Sequence, residues 1–143
     1  MAGFYRKSEA WNYEGAFKAG ATLTNGLFVY IDGANGVKPI AEAGDAEFRV
    51  QEKTTLWGLP AVVLVCTDAG TKVHYVVENE FEDYGTGDIN YAEYTVPAGH
   101  YVKMRRPNIN DEIIVSVTST VLGTLAIDDT VTPASGGSIV KKS

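Results

Sequence analysis

A chain of 143 residues is long enough to bury a real core and favours one domain. Hydrophobic content of 45% against 21% charged residues excludes a disordered chain, and a net charge of −6 disfavours a nucleic-acid partner, whose phosphates need a basic footprint. The single cysteine, Cys66, cannot staple one chain, and no Cys/His spacing resembles a zinc site.

The first twenty residues are read as an arm. Phe4, Tyr5, Trp11, Tyr13 and Phe17 interleave with Arg6, Lys7, Glu9, Glu14 and Lys18 at a spacing that fits neither a clean helix nor a clean strand. Two readings stand: a first strand and loop folded onto the body, or an aromatic arm that docks on a neighbouring subunit. The start lacks the apolar stretch of a secretory leader, so the chain is expected to stay in the cytoplasm where it is made.

The body, 21–143, opens with an Asn25-Gly26 turn and a strand over Leu27–Ile31. A Gly-rich turn at Asp32–Gly36 returns the chain along Val37–Ile40, which predicts a hairpin. No helix and no Lys-Ser/Thr pair follows, so this is no phosphate loop. Ala41–Ala46 allows at most one helical turn. Glu47–Gln51 and Thr54–Trp57 read as two short strands around Glu52-Lys53, before Gly58-Leu59-Pro60 breaks the chain.

Ala61–Thr67 is a near-continuous apolar strand, expected to run through the core with both faces covered. Its extension back to Leu59 is far too short to cross a bilayer. Within it Cys66 reads as a buried structural thiol. After Asp68-Ala69-Gly70, the alternation over Thr71–Glu78 predicts the second partner of a hairpin. The acidic stretch 79–93 lacks the pattern of an EF-hand and reads as a solvated loop rather than a calcium site.

Tyr94–Thr120 supplies two strands. Tyr101, Val102 and Met104 furnish the first, after the Pro97-Ala98-Gly99 break, and Ile113, Val115 and Val117 the second. Gly123–Ile127 reads as a further short strand, and Ser138–Val140 as the last, at an edge or corner. Eight to ten short strands at this spacing predict an all-β fold, a single β-sandwich or β-barrel with an extended N-terminal arm. There is no internal repeat and no domain linker.

Chemistry is sparse. His74 and His100 lack a Ser, Cys or second His at dyad spacing. Asp128-Asp129 would point to opposite faces if extended, which argues against a glycosidase pair. Lys103, Arg105 and Arg106 form a small basic cluster beside Tyr101, suited to an acidic protein surface. Trp11 and Trp57 would serve as stacking platforms if the domain bound carbohydrate. No catalytic, cofactor-binding or metal-ligating set is assigned, and the chain is not expected to be an enzyme.

Three segments resemble tailed-bacteriophage head decoration proteins. NGLFVYIDGANGVKP is similar to their early hairpin, VPAGHYVKMRRPNINDEIIVS to a later pair of strands, and DDTVTPASGGSIV to their closing β-turn-β. Asn110-Asp111 stands where a Gly-Asp is more typical. The resemblance implies a cement protein that binds the outer surface of an assembled head, with the major capsid protein as partner. It also implies a homo-oligomer, a trimer favoured, with no cofactor and no direct contact with nucleic acid or membrane. The contact candidates are then Phe4, Tyr5, Trp11, Tyr13, Phe17, Lys103, Arg105 and Arg106. Another virion subunit (minor capsid, tail or fibre) and a carbohydrate-binding β-domain are the alternatives.

Overall fold

The computed structural model describes residues 3–7, 13–78 and 95–142. Its longest hairpin joins β6 (Glu47–Leu56) to β7 (Leu59–Asp68). The two-residue turn between them has positive φ at both positions, 50° at Trp57 and 81° at Gly58. That left-handed pair matches the twist of the flanking strands, so Leu56 pairs with Leu59 and the ladder runs back to Glu47 opposite Asp68. The two short strands expected around Glu52-Lys53 are one strand. A register irregularity between Val50 and Glu52 absorbs the break in alternation and lets the charged pair face water.

β7 lies inside a six-stranded antiparallel sheet of order β1-β11-β7-β6-β12-β13, with β1 (Gly3–Lys7), β11 (Glu112–Ser116), β12 (Thr130–Pro133) and β13 (Ile139–Lys141). Ala61 to Leu64 are fully buried in succession, so both faces of this strand are covered, as its apolar run requires. Val62, Leu64 and Cys66 face the main core; Ala61 and Val63 join Leu56 and Ile114 on the other face.

A five-stranded sheet packs over the main core in the order β2-β10-β8-β4-β5, with β2 (Tyr13–Lys18), β4 (Phe28–Ile31), β5 (Val37–Pro39), β8 (Tyr75–Val77) and β10 (Tyr101–Arg105). Phe28 meets Phe48 across the layers edge to face, with centroids 5.6 Å apart. The period of two then sends alternate residues away from that core. Val29, Val77, Val102 and Met104 gather on the opposite face in a second core, closed by the two-stranded pair β3 (Leu23–Thr24) and β9 (Thr95–Val96). Both outer strands of this sheet meet at one isolated parallel bridge, Ala19 to Val37, but no barrel closes. The architecture is an all-β sandwich.

The β4–β5 hairpin forms where its Gly-rich turn predicts, around a short 3-10 turn at Gly33–Asn35. The hairpin expected over 61–78 does not form. β7 pairs with β6 and β11, while β8 crosses to the other sheet between β10 and β4. Gly123–Ile127 is no strand either: a helix, α1 (Ser119–Thr124), starts there because the Thr118 hydroxyl accepts from Val121 N at 3.2 Å and caps it. Ala41–Ala46 is irregular rather than helical.

One edge of the sandwich is sewn by backbone. Phe28 N donates to Gly137 O at 2.9 Å, Gly136 N to Ile40 O at 2.8 Å and Gly44 N to Pro133 O at 2.9 Å. These bonds tie the β12–β13 turn to the β4–β5 edge. Gly137 is required there: its φ is 95°, and a Cβ would lie 2.7 Å from Leu27 and from Phe28 O.

Truncating Phe48 removes the aromatic contact between the layers and leaves a void both sheets resist filling. Phe48→Ala is expected to cost about 3–5 kcal/mol, read as a lower midpoint in urea unfolding.

Candidate functional site

The opposite edge of the sandwich is held by side chains. Strand alternation on β10 turns Val102 and Met104 into the second core and leaves Tyr101, Lys103 and Arg105 on the other face. At the end of the strand this face meets β1. The Arg105 guanidinium lies 5.0 Å from the Tyr5 ring centroid, a cation–π contact, and Arg105 Nε is 2.5 Å from Glu78 Oε2. The two charged side chains are 15% and 17% exposed, so this ion pair is mostly desolvated. Tyr5 itself belongs to the main core, and its buried hydroxyl has no hydrogen-bond partner among the described residues. Burial, then the carboxylates of Asp111 and Glu78, hold the phenol well above its ordinary pKa.

Asp111 is buried in a turn fixed from two sides. Its carboxylate accepts from Asn108 N at 3.0 Å, while its carbonyl accepts from Cys66 N at 2.9 Å. Asn110, the position more typically glycine, has φ 74°. Asn is the residue after Gly that best tolerates this region, so the turn keeps its shape. Cys66 is fully buried, and burial pushes its thiol up to about 11, as expected of a structural rather than a reactive cysteine.

A groove of about 560 Å³ opens at the end of the sandwich, between the start of β7, the end of β11, α1 and β13. Its apolar wall is Leu59, Pro60, Val117, Val121 and Ile139. Hydroxyls of Ser116, Thr118, Ser119 and Ser138 complete it, and among the described residues no charged side chain lines it. Leu59 is 36% exposed at its rim. A smaller cleft of about 280 Å³ is lined by Tyr30, Ala41, Glu42 and His74. Burial and then the Lys72 charge lower the His74 pKa, which favours the neutral imidazole. Among the described residues no three His, Cys, Asp or Glu side chains converge as a metal-binding group.

The contact candidates are therefore dispersed. Tyr5 and Arg105 meet between the sheets. Phe4 lies on β1 opposite Ile114, and Tyr13 on β2 opposite Arg105. Phe17 is half-buried against the second core; Lys103 is exposed and Arg106 half-buried. Trp11 and the acidic stretch 79–93 lie outside the described residues. Both described parts of the arm are strands of the body's own sheets, β1 on β11 and β2 on β10. The groove was missed by sequence reasoning. Its available signal was Val117–Ile127, eleven residues without a charge.

Comparison with protein-family models, with curated proteins and with solved structures finds no match for this chain.

Two consequences are measurable. Arg105→Ala breaks a mostly desolvated ion pair with Glu78 and is expected to cost about 3 kcal/mol, whereas Tyr5→Phe removes only a buried hydroxyl without a described partner and is expected to stay within about 1 kcal/mol of the parent or exceed it; urea midpoints separate the two. Because Cys66 and Tyr5 both ionise more readily unfolded than folded, their contribution is complete at neutral pH and is lost as pH rises, from about 9 to 11 for Cys66 and above 10 for Tyr5. Stability measured across pH 8–11 is expected to fall less steeply in Cys66→Ala and in Tyr5→Phe than in the parent chain.

Proposed function

We propose that this protein is a structural component of a phage head, a cement protein that binds the outer surface of the capsid and acts without chemical turnover. Its partner is the major capsid protein, and its own copies form a homo-oligomer, a trimer favoured. The reading is carried by the uncharged groove at the end of the sandwich. In a chain with 30 charged residues, 12 basic plus 18 acidic, a groove whose described lining is aliphatic and hydroxyl groups without one charge has the composition of an interface core. It stands on a body whose two layers are sewn by backbone at one edge and clasped by side chains at the other, so the surface is presented rigidly.

The segments that resemble head decoration proteins support the same reading. They contain β4 and β5, then β10 and β11, then β12 and β13, and so supply both sheets. The mechanism is additive. Each copy buries a modest apolar surface at a capsomer junction, and many copies raise the resistance of the shell to rupture by multivalency.

The test is co-sedimentation of the purified protein with preformed heads that lack it. The parent chain is expected to add to saturation and to delay heat-induced rupture. Leu59→Asp, a change at an exposed position, is expected to weaken binding at least about tenfold while leaving the urea midpoint unchanged. Undiminished binding of that variant would remove the groove from the contact, and failure of the parent chain to bind heads would remove the reading.

A further inference from the structure

We propose that β1 is an exchangeable strand: the seat it fills on β11 accepts residues 3–7 of a second copy of this chain, so that neighbouring copies trade N-terminal strands. The inference concerns contacts between copies and deepens the homo-oligomer reading without requiring that a capsid be the partner.

Four observations carry it. First, among the described residues β1 is the outermost strand of its sheet and pairs with β11 alone, so its departure leaves the other described ladders intact. Second, the seat is selective. A Cβ at Gly3 would lie 2.5 Å from Ile114 O and 3.2 Å from Gly26 Cα, so the occupant needs glycine there. Two residues on it needs an aromatic ring to lie over Arg105. The sequence Gly-Phe-Tyr at 3–5 meets both demands, and a second copy carries the same sequence.

Third, the hold is incomplete. The Tyr5 hydroxyl is buried without a partner among the described residues, and the pairing slips between Tyr5 and Lys7, at the end of the strand. Fourth, β1 and β2 belong to different sheets and share no ladder, so β1 is not fastened to the strand that follows it. A strand from a neighbour makes the same contacts in the seat. The balance between own and neighbour's strand therefore rests on the connection and on protein concentration.

The experiment uses full-length chains. Lys7 and Glu112 are antiparallel partners, as are Phe4 and Ile114. Chains carrying Lys7→Cys alone and Glu112→Cys alone are unfolded together under reductant, refolded and then oxidised. Phe4→Cys and Ile114→Cys chains are treated in parallel. Cys66 is fully buried after refolding and does not compete.

A disulfide joining the two singly substituted chains, at least tenfold above either chain refolded alone and rising with concentration, is the expected result. Double variants carrying both cysteines in one chain report closure onto the chain's own strand. Absence of the interchain product from both pairs overturns the proposal, whatever the double variants do. Head binding is not read in this experiment, so exchange and capsid attachment stand or fall separately.

Discussion

The sandwich is built around a stretch of one strand, Ala61–Leu64 of β7, that has no wet face. β7 places Val62 and Leu64 against the main core and Ala61 and Val63 against the opposite side of the same sheet. A strand buried on both faces must be flanked on both edges as well, because its backbone groups have no access to water. β6 and β11 supply those edges, and each is then flanked in turn, by β12 and by β1. The five-stranded sheet follows from the same demand, since the inner face of the first sheet needs a lid of matching width.

The two edges of the sandwich solve the closing problem differently. Near β12 and β13 the layers share backbone hydrogen bonds, which need only the right turn and a glycine at 137. Near β1 and β10 the closure uses a ring, a cation and a carboxylate. Such a polar arrangement is costly to bury and costly to break by halves. The first edge is fixed by geometry, and the second by the identity of three side chains far apart in the sequence.

The all-β character and most of the strands were legible from residues alone; which strand pairs with which was not. The β4–β5 hairpin was visible because Gly33 and Gly36 mark its turn. The β6–β7 hairpin was hidden because Trp57, not glycine, takes one of its left-handed positions. The helix at Ser119–Thr124 was hidden because its residues favour strands, and only the Thr118 cap decides otherwise. Asp68-Ala69-Gly70 marked a real change of direction, but turn residues do not say whether the chain returns beside itself or crosses to another layer. The clasp was out of reach for the same reason. Tyr5, Glu78 and Arg105 are brought together by pairing over long separations, which no local pattern of residues announces.

The order of the strands has a consequence for how the protein is made. β1 pairs with β11 and β2 with β10, so each of these two strands leaves the ribosome well before the strand it pairs with. Pairings of such separation close slowly. Until residues 101–116 emerge, β1 and β2 have no ladder of their own to join, and exposed strand edges of this kind are open to pairing with another growing molecule.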